Sequence, residues 1–229
     1  MKNLGRSIVV TADGSTTIGI PLWNEHYHST HGAVNEAMHV FIQHGLRYWQ
    51  SQNPDLACCN ILEIGFGTGL NAWLTFLNNG SSNLTFFYDG IDAFPVEIEF
   101  IEALNYNELA EPSKADIFYT MHNEKWNKRF GLSKNFVITK IQNTFESINA
   151  RGTYDLIYFD AFGPRVQPEL WTVEMFHKMH NSLKPGGILV TYCAKGSVRR
   201  AMLEVGLLVE RLNGPPGKRE MLRASKKKY

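Results

Sequence analysis

The chain has 229 residues, 44% apolar and 20% charged, with a formal net charge of +1. That is enough chain for one domain with a substantial core, and the near-neutral balance excludes a global attraction to nucleic acid, so any such contact must come from a local patch. No run of about 20 apolar residues is present to cross a membrane as a helix, and three cysteines, two of them adjacent at Cys58 and Cys59, form neither a disulfide framework nor a metal spacing. Reduced thiols in a cytoplasmic protein are expected. The start, Met1 to Arg6, has no apolar stretch behind its charges and is not expected to be a secretory signal.

In chain order, β-rich runs at 7–11 and 16–20 flank Ala12-Asp13-Gly14-Ser15, which predicts a hairpin. Met38, Phe41, Ile42, Leu46 and Trp49 then recur at helical spacing from about Ala33 to Gln50. A strand is expected at Asn60–Ile64 and a helix at Leu70–Leu77, ending at Asn78-Asn79-Gly80. Further strands follow at Leu84–Ile91, Phe136–Ile141, Tyr154–Phe159 and Ile188–Cys193, with helices at Val96–Leu104 and Glu169–Leu183. Lys184-Pro185-Gly186-Gly187 reads as a turn, and Ser197 as the cap of a helix carrying Val198, Ala201 and Met202. Leu207–Glu210 and Arg219–Ala224 are expected to pair antiparallel. The stretch 105–134, polar with Trp126 and Phe130, is expected to be helical and partly a lid. Alternating strands and helices predict an α/β fold, a mostly parallel sheet with helices on both faces, with a small N-terminal hairpin. The expected division is a hairpin and flap over residues 1–32 and one main domain over 33–229.

The most informative run is Ile61-Leu-Glu-Ile-Gly-Phe-Gly-Thr-Gly-Leu-Asn71. An apolar strand ends in a turn with Gly65, Gly67 and Gly69, and a helix follows whose first amides face a ligand. The dinucleotide fingerprint is G-x-G-x-x-G, but here the third glycine comes one residue early and Leu70 holds its place. With Glu63 ahead of the turn, the run resembles the first motif of S-adenosyl-L-methionine (SAM) methyltransferases, a Rossmann-like fold. That resemblance implies SAM as cofactor, with Glu63, Gly65, Gly67, Gly69 and Asn71 at its site.

In open parallel sheets ligands lie beyond the carboxyl ends of the strands. Asp92, ending the second strand, is placed to accept hydrogen bonds from both ribose hydroxyls of an adenosyl group. At the end of the third strand many methyltransferases carry an acid for the adenine amino group; this chain has Lys140-Ile141-Gln142-Asn143, which leaves Gln142 or Asn143 to supply an amide oxygen. Asp160-Ala161-Phe162-Gly163-Pro164 leaves a buried strand, with Asp160 facing the methyl donor and Phe162 offering a flat face to a planar ring. Tyr192 with Lys195, Arg199 and Arg200 forms a cationic strand end suited to phosphate. The polar, aromatic segment Glu25–Glu36 is expected to be a flap over the cofactor, with Ser29 and Glu36 as its contacts. Its histidines and the next (His26, His28, His31, His39) match no metal spacing, so no metal is expected.

The pieces together resemble the methyltransferase domain of the bifunctional enzyme that finishes 5-methylaminomethyl-2-thiouridine at the tRNA wobble position. The resemblance runs from about Tyr27 to Arg223. It is carried by Tyr27-x-Ser29-x-x-Gly32-x-x-x-Glu36, the glycine motif, Asp92-x-Phe94-Pro95, Asp160-x-Phe162-x-Pro164, Pro168-x-Leu170-Trp171, Lys184-Pro185-Gly186-Gly187, Gly196-x-Val198-Arg199-Arg200 and Gly217-Lys218-Arg219-Glu220-Met221-Leu222. It implies SAM-dependent N-methylation of the aminomethyl group on C5 of the modified uridine. Asp160 and Phe162 would act at the reacting centre, and Tyr192, Lys195, Arg199, Arg200, Lys218 and Arg219 would hold the RNA, with Phe162 or Tyr192 stacking a flipped base. The chain departs from the family in lacking the third-strand acid and in reading Asp-Ala-Phe-Gly-Pro where the family has Asp-Gly-Phe-Ala-Pro. It ends at Tyr229 without the FAD-dependent oxidase half, so methyl transfer alone is expected, with another enzyme delivering the aminomethyl uridine. Methylation of another RNA base or a small amine, and SAM binding without turnover, are the rival readings.

Overall fold

The central strands are apolar on both faces, so both faces demand cover. The computed structural model, which describes residues 5–79 and 84–228, supplies it with helices on each side. Gly80, at the end of the expected Asn78-Asn79-Gly80 turn, lies outside the described residues, as do Met1–Leu4 of the N-terminal stretch.

The chain opens with β1 (Ser7–Val10), β2 (Thr16–Ile20) and β3 (Glu25–His26), a three-stranded antiparallel sheet. The hairpin is as expected; the third strand is an addition, two residues too short to show a period. Ile18 of β2 joins the same buried cluster as the helices that follow. A continuous helical rod comes next: α1 (Ala33–Ala37), a π-wound stretch Met38–Arg47, and α2 (Tyr48–Gln52). Gly45 lets this rod lie close on the sheet, since a Cβ there would stand 3.1 Å from Val190 and 3.2 Å from Tyr158.

The main sheet contains β4 (Cys58–Ile64), β5 (Thr85–Asp92), β6 (Arg129–Ser133), β7 (Phe136–Gln142), β8 (Tyr154–Phe159), β9 (Leu183–Thr191), β10 (Leu208–Asn213) and β11 (Glu220–Ser225), in the order β10-β11-β9-β8-β4-β5-β7-β6. From β9 to β7 neighbouring strands are parallel, and the outer pairs at each edge are antiparallel. Side chains alternate across each strand. Ile61, Leu156 and Tyr158 therefore enter one core with Phe41 of the rod, Trp73 of α3 (Leu70–Leu77) and Phe118 of α5 (Ala115–Asn123). Leu62, Ile64, Ile157 and Phe159 enter a second core with Phe176 and Met179 of α6 (Val173–Ser182) and Val198 and Met202 of α7 (Gly196–Glu204).

Register places the site. Ile64 pairs with Ile91 on one side and Phe159 on the other, so Gly65, Asp92 and Asp160 leave the sheet together at its carboxyl edge. The chain runs outward from β4 through β5 to β7 in one direction, and through β8 and β9 in the other. The order reverses between β4 and β8, where ligands settle in such sheets.

Several expected elements differ. Residues 105–134 are not a lid: α5 buries Phe118 and Met121 in the core, and Arg129–Ser133 pairs with β7 as the edge strand β6. The helix expected at Val96–Leu104 is the single short turn α4 (Ile98–Glu102). Pro168–Trp171 is a separate 3-10 turn, and Thr172 caps α6 through its hydroxyl to the Met175 amide at 3.3 Å. Lys184-Pro185-Gly186-Gly187 lies within an irregular start of β9. Helix α7 starts one residue before Ser197, which gives it no side-chain cap.

Candidate active site

The glycine turn works by position. Gly65 (φ +89°), Gly67 (φ +51°) and Gly69 (φ +72°) all take backbone angles that side chains disfavour. A Cβ on Gly65 would stand 2.7 Å from the backbone oxygen of Asp160, and one on Gly67 would meet the Tyr27 ring at 3.2 Å. Phe66 folds back over β5, where a Cβ on Gly90 would come within 2.3 Å of its ring, so Gly90 makes room for the turn.

Around this turn lies a cavity of about 380 Å³, within the range of small-ligand sites. Of the residues singled out in the sequence, Ser29, Glu36, Gly65, Gly67, Asn71, Asp92, Asp160, Phe162, Tyr192 and Lys218 line it. Others do not. Glu63 lies beneath the turn, accepting from Asn71 Nδ2 at 2.9 Å and from the Tyr88 hydroxyl at 2.8 Å. Gly69 caps α3 and faces His122. Gln142 is exposed at the end of β7, its amide donating to Asn127 Oδ1, and the cleft wall beyond β7 is made by Thr144, Phe145 and Glu146 instead. Lys195, Arg200 and Arg219 are exposed on the outer surface with Arg199 half-buried beside them.

One end of the cleft is built around Asp92. Its Oδ2 accepts from the Gly67 amide and its Oδ1 from the Phe94 amide, both at 2.9 Å. Burial raises the Asp92 carboxyl above its ordinary value, against those two bonds. Arg6 reaches the same end, donating to the Tyr27 hydroxyl at 3.1 Å and pairing with Glu97; burial pushes the Tyr27 hydroxyl up to about 12.

The other end is built around Asp160. Asn71 Nδ2 donates to Asp160 Oδ2 at 2.8 Å as well as to Glu63, so one buried amide bridges two carboxyls. Desolvation, and then the nearby charge of Glu36, push the Asp160 carboxyl well above the usual carboxylate range. Phe162 stands edge-on to Trp23 (5.5 Å) and Tyr27 (5.1 Å). Its backbone is pinned by Gln167 Oε1, which accepts from the Phe162 amide at 3.1 Å, and by Trp171 Nε1, which donates to the Phe162 carbonyl at 2.8 Å. Arg165 ties this loop to the N-terminal segment, donating to the carbonyls of Trp23 (2.8 Å) and Asn24 (3.0 Å) and pairing with Glu25. One face of Tyr192 is taken: the Lys218 ammonium sits 3.9 Å from its ring centre. Tyr27 enters the cleft with the expected flap, whereas Trp23, Arg6 and the Thr144–Glu146 wall are cleft residues that no periodicity or spacing in the sequence assigns to it.

The residues present fit an adenosyl sulfonium. Acidic and aromatic groups around the cleft suit a cation, the Asp92 carboxyl suits vicinal hydroxyls, and the buried Asn71 Oδ1 has no protein partner among the described residues. Among the described residues no group of three or more His, Cys, Asp or Glu gathers to hold a metal. No helix there is long and apolar enough to cross a membrane.

His28 lies on the cleft wall, its Nδ1 within 3.1 Å of the Thr17 hydroxyl and 3.3 Å of the Tyr106 hydroxyl. Burial lowers it from 6.5 to about 4. Its contribution to stability is therefore intact above about pH 6.5 and is lost as pH falls toward 4, by about 2 kcal/mol at pH 5. Urea midpoints at pH 7.5 and 5.0 are expected to fall less in His28→Gln than in the wild type; an equal fall would contradict a buried neutral imidazole.

A family model described as S-adenosyl-L-methionine-dependent methyltransferase matches residues 106–227. The chain is 30% identical over 221 residues to the tRNA 5-methylaminomethyl-2-thiouridine biosynthesis bifunctional protein MnmC of Idiomarina loihiensis, covering 89% of this chain and 36% of that protein. It is 29% identical over 234 residues to the protein of that name from Pseudoalteromonas atlantica, covering 94% of this chain and 32% of that one. The chain thus spans about a third of the length of these curated relatives. In structure it is similar to MNMC2 from Aquifex aeolicus (TM-score 0.75, 24% identity, 96% of this chain and 70% of that one). It is also similar to spermidine synthase from Thermotoga maritima (TM-score 0.55, 14% identity, 98% and 69%). Both likenesses bear on the fold.

Proposed function

The chain belongs to the S-adenosyl-L-methionine-dependent methyltransferases, and from that membership we propose that it N-methylates the 5-aminomethyl group of a modified wobble uridine in tRNA. The observation that carries this reading is the make-up of the Asp160 end of the cleft. A half-buried carboxyl, an edge-on aromatic group and a cation surround the space where a flat base bearing an amine would meet the cofactor end. The relatives named for tRNA 5-methylaminomethyl-2-thiouridine biosynthesis support it.

SAM, when bound, supplies a methyl group already activated on a sulfonium. The chain's own residues then have to bind, orient and exclude water. Asp92 would take the ribose hydroxyls, the Gly65–Gly67 turn would let the ligand approach the chain's backbone closely, and Thr144–Glu146 would stand in for the third-strand acid. Ser29, Glu36 and Asn71 line the path between. Glu63 holds Asn71, which in turn holds Asp160 Oδ2. Asp160 Oδ1 is then the oxygen left to receive the acceptor amine, orient it and take its proton. Phe162 flanks the base, and Lys195, Arg199, Arg200 and Arg219 hold phosphates, so RNA binding weakens with salt. Residues 1–32 serve as hairpin and flap, and residues 33–229 as the methyltransferase domain.

Asp92→Ala is expected to weaken SAM binding about 10- to 100-fold, since a charged acceptor for two hydroxyls is lost. Titration calorimetry reads this directly, and an unchanged affinity would remove Asp92 from the cofactor site. The function itself is tested by radiolabelled methyl transfer from SAM to tRNA from cells that accumulate 5-aminomethyl-2-thiouridine, with unmodified tRNA as control. Label in the aminomethyl tRNA alone is expected. Label in neither, with SAM binding established separately, would leave the fold and defeat the substrate.

A further inference from the structure

Lys218 is out of place for a phosphate contact. It sits in the turn between β10 and β11, where its amide donates to the Pro215 carbonyl at 2.9 Å. The turn presses against the N-terminal segment so closely that a Cβ on Gly217 would stand 2.2 Å from the His31 ring. His39 Nε2, 2.8 Å from the Asn213 carbonyl, ties the base of the turn to the helical rod. The Lys218 side chain is therefore directed into the cleft. Its ammonium pairs with Glu36, which is 9% exposed, and covers the Tyr192 ring.

Two cationic side chains other than histidine line the cleft among the described residues, Arg6 and Lys218. Arg6 is spent on Tyr27 and Glu97 at the Asp92 end. Lys218 faces the Asp160 end. The groups around it are Glu36 from α1, Asp160 after β8, Tyr192 and Cys193 after β9, His28 of the flap, and His31 against Gly217.

This end of the cleft has a charge problem. An alkyl amine has a reference value near 10.4, so only about one molecule in a thousand is neutral near pH 7, and only the neutral form has a lone pair to attack with. Asp160 and Glu36 border the space, Glu25 (paired with Arg165) and Glu169 also belong to the cleft lining, and these carboxyls would favour the ammonium form. A fixed positive charge opposes them. Resting on the proposed function, we propose that Lys218 is a positioning residue for the acceptor amine, its ammonium cancelling the charge of Glu36 and disfavouring a second ammonium beside Asp160, so that the amine is held neutral. The proton leaves to Asp160 or to water as the amine enters; nothing else is consumed.

Two measurements test this. The first is the pH dependence of kcat at saturating SAM and aminomethyl tRNA, which reports the amine in the bound complex. Lys218→Met is expected to move the acid limb up by about one pH unit, a rate loss of about tenfold at pH 7 that is recovered above the limb, whereas Lys218→Arg keeps the limb where it was. The second needs no variant and no turnover. An anticodon stem-loop carrying a ¹⁵N-labelled aminomethyl uridine is titrated by NMR in complex with the wild type and S-adenosylhomocysteine. The bound amine is expected to lose its proton at a lower pH than the free stem-loop. A Lys218→Met limb that coincides with the wild type, or a bound amine that titrates at or above the free one, overturns the inference. A wild type that methylates no aminomethyl tRNA at any pH instead defeats the proposed function on which the inference rests.

Discussion

Asp160→Ala is expected to cut methyl transfer by about 100-fold or more while SAM affinity changes by less than about fivefold. The separation follows from where the carboxyl stands. Asp160 leaves β8 beside Gly65, with β4 between it and Asp92 at the end of β5, which holds the opposite end of the cleft. Its Oδ2 is taken by Asn71. Desolvation and the charge of Glu36 raise it well above an ordinary carboxyl, which makes its ionised form a stronger base than a solvated aspartate. Removing it takes away the group that orients the amine and receives the proton, and leaves the turn that holds the adenosine. Single-turnover rates and calorimetry on the same preparation distinguish the two effects. Loss of SAM binding with the rate would assign Asp160 to the cofactor site instead.

Gly65→Ala is expected to weaken SAM binding by about 30-fold or more and to lower thermal stability. Its φ of +89° costs a side chain about 1–2 kcal/mol. The added methyl also falls 2.7 Å from the Asp160 backbone oxygen, so the turn after β4 must move away from the loop after β8. These are the two loops at the switch point, and the carboxyl lies on one of them. A melting curve and a binding isotherm read both consequences. A variant with wild-type affinity would mean that the turn does not bear on the ligand. Gly152, by contrast, has φ +54° with nothing within 4 Å of its Cβ position, so alanine there carries backbone strain without a collision.

The sequence made the sheet and the carboxyl edge legible because both are local. Ile61, Leu62 and Ile64 are apolar whichever way they face, and a glycine turn between a strand and a helix has few other uses. Asp92 and Asp160 were placed by the rule that strand ends carry the site, and both line the cleft. What was not legible depends on distant segments meeting. Trp23 becomes a cleft wall only because Arg165, far along the chain, fastens its carbonyl and that of Asn24. Lys218 reads as one of several basic residues near a terminus until the turn between β10 and β11 directs it inward. The strand β6 was hidden because Arg129-Phe130-Gly131-Leu132-Ser133 alternates faces over only five residues, with a glycine at the centre. Lys140 is the one charged residue within the strand expected at Phe136–Ile141. It is fully buried, with its ammonium 2.6 Å from the His122 carbonyl and 5.4 Å from the centre of the Trp126 ring. An exposed helix or lid over 105–134 would have left that charge in water; the packed helix α5 and the strand β6 provide its partners instead.

In the proposed reaction this cleft delivers a methyl group to the side-chain nitrogen of a wobble uridine. The measurement that tests it most directly is mass spectrometry of nucleosides from aminomethyl tRNA treated with the protein and SAM, with fragmentation to locate the added group. One new methyl is expected on the exocyclic nitrogen of the wobble nucleoside, absent without SAM and strongly diminished in Asp160→Ala. A methyl on a base ring or a ribose, or at any other position of the tRNA, would contradict it.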